Sequence, residues 1–372
     1  MPELLIVGAG PYAYSAAAFA RDNGIETHLV GRPMAFWRDH MPAEMFLRSG
    51  PDWHLDARGE DTFEAFFEDR GTLPEDPIPR SVFLDYTDWF RARKGLDPDD
   101  RLVTDLTKPA ASFVATLADG TTITAEKVLA APGVGYFHNL PEWYAGIPPD
   151  RRSHTRDLVS FDSLAGARVV VIGGRQSAYE WAALLCDHAV EHVDVVHRHS
   201  TPKFAKVSWS FVDQYVEQTL THRGWWRGLP LDQQRAIAAE FWQVGRLTLE
   251  PWLVPRLTDA VTSHPGCAVV DTAVSEHDVR LTLSEGKALS ADHVLFASGY
   301  RADLARVPYL SGVLGRVSVS EGFPNLTEGL ETSLPGLYLT GFAATRDFGP
   351  FYGFTKGCPS AAHIAITDML SH

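Results

Sequence analysis

The stretch LLIVGAGPYAYSAAAFAR, residues 4–21, decides the fold of this 372-residue chain. Leu4–Val7 is a continuous apolar run, typical of a parallel strand that is covered on both faces. Gly8, Gly10 and Ala13 follow in the spacing GxGxxG/A and open a helix of small residues. A strand, a glycine turn and a helix in this order predict a βαβ unit that binds a dinucleotide, with its diphosphate at the helix N-terminus.

A second stretch, VVVIGGRQSAYEWAALL at residues 169–185, repeats this layout. Its turn begins with Gly173, but Arg175 stands where the second glycine of the motif belongs. Two interpretations are open. Either the second site has decayed and this fold merely packs, or the guanidinium of Arg175 contacts a phosphate, which it suits by shape and charge.

The two halves also agree beyond their glycine turns. Each continues with a hairpin turn, residues 118–120 and 284–286, and then with an apolar strand that ends in a glycine, Gly133 and Gly299. The tail resumes with a strand and Gly341. This duplication predicts an α/β protein with two Rossmann-like dinucleotide-binding folds and β-meanders, one fold being inserted in the other.

Basic residues follow the next strand of the second half. Arg198 comes just past that strand, where the 2′-phosphate of NADPH is bound in such folds, whereas NADH sites prefer an acidic residue. The sequence therefore favours NADPH over NADH, and the alternative is that these basic residues only face solvent. The candidate NADPH contacts are Gly173, Gly174, Arg175, Gln176, Ser177, Glu180, Arg198, Lys203 and Gly299.

Three segments carry a family resemblance: GAGPYAYSAA, the pair VLAAPG and VLFASGY, and PGLYLTGF. In this order they resemble the flavoproteins with two dinucleotide folds. MFLRS at residues 45–49 and GGRQSAYE at residues 173–180 are most similar to flavin-dependent monooxygenases, including flavin-containing monooxygenases, Baeyer–Villiger monooxygenases and ornithine or lysine N-hydroxylases. The resemblance implies an FAD-binding domain at residues 1–160 and 300–372. It also implies an NADP-binding domain at residues 161–299, which includes an aromatic-rich helical insert at residues 200–257.

Two positions depart from the family pattern. The ribose-binding Glu at the end of the second strand is replaced by Gly31, which is followed by Arg32, and the Asp after the tail glycine is replaced by Phe342. The FAD contacts that the resemblance implies are Gly8, Gly10, Pro11, Ala13, Arg32, Trp37, Arg48, Gly133, Gly341 and Phe342.

The resemblance further implies an enzyme that inserts one oxygen atom from O₂ into a small molecule through a flavin C4a-(hydro)peroxide, with N-hydroxylation as the leading reaction. Asp52 and His54 are catalytic candidates in one segment, and Arg346 and Asp347 in another. The structural alternatives are loop capping for the first pair and a local ion pair for the second. Two other functions stay open: an NAD(P)H-dependent flavoprotein reductase or dehydrogenase, and a non-catalytic flavoprotein-like scaffold.

The composition of the chain argues against some classes of binding partner. A formal net charge of −14 argues against nucleic acid and anionic membranes, and no stretch is long and apolar enough to span a bilayer. The 3 cysteines form no CxxC pair, and no metal-binding constellation is present, so we expect a cytoplasmic enzyme without a redox dithiol. The aromatic residues of the insert predict either a lid or substrate pocket, or an interface between domains or between copies in a homo-oligomer.

Overall fold

The computed structural model describes residues 2–257 and 259–372. Its strands are β1 Leu4–Val7, β2 Thr27–Val30, β3 Val103–Thr107, β4 Phe113–Leu117, β5 Thr122–Ala125, β6 Lys127–Ala130, β7 Arg152–His154, β8 Arg168–Ile172, β9 His192–His197, β10 Lys203–Phe204, β11 Thr248–Leu249, β12 Val261–Pro265, β13 Val269–Val274, β14 Val279–Leu283, β15 Ala288–Ala291, β16 His293–Phe296, β17 Val319–Ser320, β18 Phe323–Pro324 and β19 Leu337–Leu339. Its α-helices are α1 Pro11–Asp22, α2 Ala35–Asp39, α3 Phe63–Arg70, α4 Arg80–Arg93, α5 Gln176–Asp187, α6 Asp213–Thr221, α7 Trp225–Gly228, α8 Leu231–Gly245, α9 Ser311–Leu314, α10 Thr345–Phe348 and α11 Cys358–Leu370.

The first glycine turn lies at the edge of a parallel sheet with the strand order β19-β6-β1-β2. Leu4, Leu5 and Ile6 of β1 are fully buried, because they share one core with α1, with α11, which packs on α1, and with the antiparallel meander β3-β4-β5. Burial on both faces is the reason why β1 reads as an unbroken apolar run.

The second glycine turn lies at the edge of another parallel sheet, in the order β12-β9-β8-β16-β7, with its own meander, β13-β14-β15. All of these strands fall between β6 and β19 in the chain, so the second fold interrupts the first. The predicted fold class, two Rossmann-like folds of which one is inserted in the other, is confirmed. Residues 152–154, which the predicted boundary at 160 assigns to the first fold, pair with β16 of the second sheet.

The insert at residues 200–257 packs on both units. Trp209, Val212 and Phe241 share a hydrophobic core with residues of the first unit, whereas Leu249 and Leu253 belong to the core around β8 and β9. The insert therefore contacts both folds, and its role as a lid, a pocket or an interface stays a prediction.

Candidate functional site

The first glycine turn has the shape that a diphosphate requires. Gly8 has φ +119°, and a Cβ at this position would overlap the carbonyl oxygen of Ala131. Gly10 is extended, with φ −91° and ψ −173°, and a Cβ there would meet nothing within 4 Å. Pro11 then begins α1, and Ala13 is fully buried where the helix meets the sheet. Open space at Gly10 and the unpaired N–H groups of the helix N-terminus together fit an anionic ligand.

The second turn repeats this backbone almost residue for residue. Gly173 has φ +139°, and a Cβ there would overlap the carbonyl oxygen of Ala297. Arg175 caps α5 with φ −103° and ψ −174°, nearly the same angles as Gly10. Arginine adopts this conformation without strain, because both φ values are negative. The backbone alone therefore does not require a second glycine, and the second turn keeps the shape of the first.

The side chain of Arg175 lies against the insert. Its guanidinium carbon is 3.6 Å from the ring centroid of Trp242 on α8, a close cation–π contact. Burial, followed by repulsion from Arg246 and Arg198, lowers the pKa of Arg175 to about 10, so the group stays charged at neutral pH. Among the residues that the structure describes, no carboxylate pairs with it. The turn fits a diphosphate if the guanidinium serves as one of its ligands.

The end of β2 explains why no ribose-binding Glu is present there. Gly31 has φ +144°, and a Cβ would lie 3.0 Å from the backbone nitrogen of Ala9 in the first turn. A larger residue would therefore crowd the turn itself. The next residue, Arg32, is exposed and forms an ion pair of 3.0 Å with Asp39.

The residues at and after the end of β9 differ in burial and in charge. His197 is buried and contacts the hydroxyls of Tyr179 and Ser263, and burial lowers its pKa to about 4, so it is neutral. Arg198 is exposed and forms no ion pair with the described residues, and Lys203, at the start of β10, is also exposed. The basic character expected at this edge therefore comes from Arg198 and not from the buried His197.

Gln176 and Glu180 face the interior. The side-chain amide of Gln176 donates to Glu180 at 2.7 Å and accepts from the backbone nitrogen of Glu250 at 3.0 Å. Burial raises the pKa of Glu180 to about 7. In this arrangement the two residues hold the turn against the insert. Ser177, between them in sequence, is exposed at the open side of the turn, and Gly174 is buried against the ring of His197.

The guanidinium of Arg48 binds other residues of the protein. Its Nε pairs with Glu250 at 3.0 Å, and its two terminal nitrogens donate to the carbonyl oxygens of Gly245 at 2.6 Å and Thr248 at 2.8 Å. The bonds connect the loop after α2 with the end of the insert. They use three of the five N–H donors of the guanidinium, and the flavin contact that the resemblance implies stays a prediction.

The four catalytic candidates do not form one cluster. Asp52 pairs with Lys356 at 3.0 Å, and Arg346 pairs with the buried Asp347 at 3.2 Å, the local ion pair that the sequence offered as an alternative. His54 is half-buried, and its Nδ1 is buried without a partner among the described residues. Burial lowers the pKa of His54, so the ring is neutral at pH 7 and its nitrogen can act as an acceptor or a donor.

The remaining predicted contacts lie at the carboxyl ends of strands or beside them. Three glycines have positive φ there: Gly133 at +68°, Gly299 at +77° and Gly341 at +75°. Phe342 lies 5.9 Å from Phe137 between ring centroids, and the ring of Trp37 lies 4.4 Å from that of Phe83.

Tyr12 is a contact that the sequence did not single out. It occupies a variable position of the first turn, and its hydroxyl donates to the carbonyl oxygens of Tyr352 at 2.6 Å and Phe354 at 2.8 Å. The partners lie about 340 residues away in the chain, so no local signal could have indicated them. This bond holds the C-terminal segment beside the first glycine turn.

A cavity of about 480 Å³ lies away from the two glycine turns, between the segments at residues 138–140 and 301–306 that follow β6 and β16. It is lined among others by His138, Arg301, Arg306 and Glu321, and by none of the predicted site residues. In the described part of the chain, no His, Cys, Asp and Glu cluster could hold a metal ion, and no helix is long and apolar enough to cross a membrane.

Comparison with known proteins decides the family. The sequence model of the pyridine nucleotide-disulphide oxidoreductases matches residues 2–225. The chain belongs to this family. Membership confirms the predicted oxidoreductase, and a family defined by pyridine nucleotides agrees with the two nucleotide turns described above.

Two curated relatives of this oxidoreductase match over part of their length. The FAD-dependent urate hydroxylase of Xanthomonas campestris pv. campestris is 31% identical over 153 residues, which are 38% of this chain and 32% of that protein. A ferredoxin–NADP reductase of Gluconacetobacter diazotrophicus is 27% identical over 231 residues, 60% of this chain and 55% of that protein. The chain thus spans about a third and about half of the length of these relatives.

A solved structure matches over the whole chain. The ornithine N-hydroxylase of Kutzneria sp. 744, with reduced FAD, NADP⁺ and L-ornithine, superimposes with a TM-score of 0.79 at 18% identity, covering 100% of this oxidoreductase and 99% of that enzyme. At this identity the likeness establishes the fold alone, which this chain shares with that enzyme.

Proposed function

We propose that this oxidoreductase is an FAD-dependent, NADPH-using monooxygenase that inserts one oxygen atom from O₂ into a small molecule, with N-hydroxylation as the leading reaction. The observation that carries the proposal is the pair of glycine turns with nearly identical backbones, each of which opens a helix N-terminus in its own parallel sheet. Full-length likeness to an ornithine N-hydroxylase supports this class of reaction.

The chain's own residues divide between the two nucleotides. Gly10 and the N-terminus of α1 would bind the diphosphate of FAD, and Ser177, Arg175 and the N-terminus of α5 that of NADPH. Arg198, exposed just past β9, would bind the 2′-phosphate. Residues 1–160 and 300–372 would then form the FAD-binding domain and residues 161–299 the NADP-binding domain, with the boundary shifted to include β7 in the latter.

When both are bound, the nucleotides supply hydride transfer and the activation of O₂. The protein must then exclude water from the place where they meet. The insert suits this task, because Trp242 covers Arg175 of the second turn while Trp209 packs in the core of the first unit. His54, half-buried and neutral, is the best placed of the four catalytic candidates to exchange a proton with a substrate nitrogen.

A reductase that passes electrons to a protein acceptor is the second candidate, and the match to a ferredoxin–NADP reductase favours it. Oxygen accounting separates the two functions. The purified holoprotein is supplied with NADPH and O₂ together with L-ornithine, L-lysine or urate, while NADPH oxidation, O₂ uptake, H₂O₂ release and hydroxylated product are measured.

For a monooxygenase we expect one of these compounds to raise NADPH oxidation and to yield about one hydroxylated product per NADPH consumed, with little H₂O₂. If H₂O₂ release accounts for all NADPH consumed with every compound, and a ferredoxin added instead of these compounds is reduced rapidly, the reductase function is correct.

A further inference from the structure

Three arginines without a carboxylate partner lie at the second glycine turn or beside it. Arg175 belongs to the turn, Arg198 follows β9, and Arg246 follows the last residue of α8 in the insert. In the described part of the chain, none of the three guanidiniums forms an ion pair or donates a hydrogen bond. The chain has 47 acidic and 33 basic residues, so a shortage of carboxylates does not explain this. Like charges that lie close together repel each other, and an anionic ligand relieves this repulsion.

The insert brings Arg246 to the second turn through α8. Trp242 of that helix stacks on Arg175, with 3.6 Å between the ring centroid and the guanidinium carbon. The backbone nitrogen of Arg246 donates to the carbonyl oxygen of Trp242 at 3.1 Å, which places Arg246 one helical turn further on the same face. After burial, repulsion from Arg246 is the largest influence that lowers the pKa of Arg175. The two guanidiniums are therefore neighbours, although they are distant in the chain.

Solvent reaches this group of arginines. Trp242 is 39% exposed, and Arg198 and Ser177 are exposed as well. Arg246 is half-buried. A ligand can therefore lie across the open side of the turn, against the N-terminus of α5. That N-terminus supplies about half an elementary charge, which is less than the charge that a diphosphate carries. Additional cations at the turn complete the neutralisation of such a ligand.

The arginines lie on different sides of the turn. Arg198 follows β9, on the side where the adenosine ribose is bound in such folds. Arg246 lies toward the first unit, because its guanidinium carbon is 5.6 Å from the ring centroid of Phe354. Phe354 packs on the core of that unit, and its carbonyl oxygen accepts a hydrogen bond of 2.8 Å from Tyr12 of the first turn. A dinucleotide that lies across the second turn would have its 2′-phosphate at Arg198 and its nicotinamide half beside Arg246.

We propose that Arg246 binds the phosphate of NADPH that carries the nicotinamide ribose. The proposal rests on the proposed function, because it assigns the second turn to NADPH. The guanidinium of Arg246 donates hydrogen bonds to the phosphate oxygens, and Arg175 acts on the same diphosphate from the turn. The insert then contributes a ligand of its own to the nucleotide site. Arg246 also holds the nicotinamide half on the side of the first unit, where the flavin is expected.

The test compares NADP⁺ with adenosine 2′,5′-bisphosphate, which has the 2′-phosphate but lacks the nicotinamide-side phosphate and its ribose. Calorimetric titration of the flavin-loaded protein at constant ionic strength measures both affinities without turnover. We expect Arg246→Gln to weaken NADP⁺ binding at least about tenfold, which corresponds to about 1.4 kcal/mol, and to leave the binding of adenosine 2′,5′-bisphosphate unchanged. Arg246→Lys should restore part of the NADP⁺ affinity, because it keeps the charge.

Two other variants serve as matched comparisons. Arg198→Gln should weaken the binding of both ligands, because both carry the 2′-phosphate. Arg235→Gln should change neither affinity, because Arg235 is exposed on α8 and forms no ion pair with the described residues. The melting temperature of each variant checks that it folds.

Two results overturn the proposal for Arg246 while the nucleotide site itself stands. In the first, Arg246→Gln binds NADP⁺ as tightly as the wild type does. In the second, Arg246→Gln loses affinity for both ligands to the same extent, which assigns Arg246 to the adenosine half of the nucleotide. If the wild type binds neither ligand, the second turn is not a nucleotide site, and the proposed function fails together with the role of Arg246.

Discussion

Replacing Glu180 by Gln should make the free energy of unfolding of the protein less sensitive to pH. Glu180 is 1% exposed, and its carboxylate accepts one hydrogen bond, from Gln176, while its other oxygen is buried without a partner in the described chain. Arg256, Arg48 and Glu250 also act on it electrostatically. Burial is the dominant influence and raises the pKa from 4.5 to about 7, so the folded protein prefers the protonated acid.

The sign and the size follow from this shift. The stability that the protonated Glu180 provides is fully present below pH 4.5 and is lost as pH rises to about 7. Each pKa unit corresponds to about 1.4 kcal/mol, so ionisation of Glu180 costs roughly 3 kcal/mol in full and about 2 to 3 kcal/mol between about pH 5 and about pH 8.5. Glutamine resembles the protonated acid and does not titrate.

Urea unfolding of the holoprotein, followed by tryptophan fluorescence, measures this difference. Relative to the wild type, Glu180→Gln should gain about 2 to 3 kcal/mol in the free energy of unfolding when the pH is raised over that interval. Glu191→Gln, at an exposed position before β9, is the matched control and should run parallel to the wild type. If the free energy of unfolding of Glu180→Gln also runs parallel to that of the wild type, burial does not hold the carboxyl of Glu180 in its protonated form.

Two further substitution pairs test the site. Gly8→Ala should prevent stable folding, because its Cβ would overlap a backbone carbonyl. Gly10→Ala should keep the melting temperature of the apoprotein but lower the amount of bound FAD, since its Cβ occupies only the open space of the turn. The absorbance ratio of flavin to protein measures the bound FAD, and equal ratios in Gly10→Ala and wild type would contradict this prediction. Arg48→Met should lower the free energy of unfolding by about 3 kcal/mol, because it leaves Glu250 buried without a cation. Arg70→Met, which breaks an exposed ion pair, should change that free energy by less than about 1 kcal/mol. Equal losses of the two variants in urea unfolding would show that burial does not set the strength of the Arg48 ion pair.

The glycine turns could be predicted from the sequence because the requirements that they meet are local. Gly8 and Gly173 must have positive φ and lie against a neighbouring strand, and their spacing from the following helix fixes the rest. The interruption of one fold by another followed from the order of the repeated segments. The reason for Gly31 became visible only in three dimensions, since it packs against the first turn.

The polar partners around the insert could not be predicted in the same way. Arg48 and Glu250 are 202 positions apart, and the stacking of Arg175 on Trp242 depends on how the insert returns to the second fold. The sequence could not show that three N–H donors of Arg48, a predicted flavin contact, bind Glu250 and two carbonyl oxygens.

The proposed function requires the second turn to be a working nicotinamide site although Arg175 replaces its glycine. Anaerobic mixing of the flavin-loaded protein with NADPH or NADH, followed by the loss of flavin absorbance, tests it most directly. We expect bleaching at NADPH concentrations at least about tenfold below those needed for NADH, and loss of that difference in Arg198→Ala. A flavin-loaded protein that neither nucleotide bleaches, and that binds neither nucleotide in a direct titration, would show that the second turn is not a nicotinamide site.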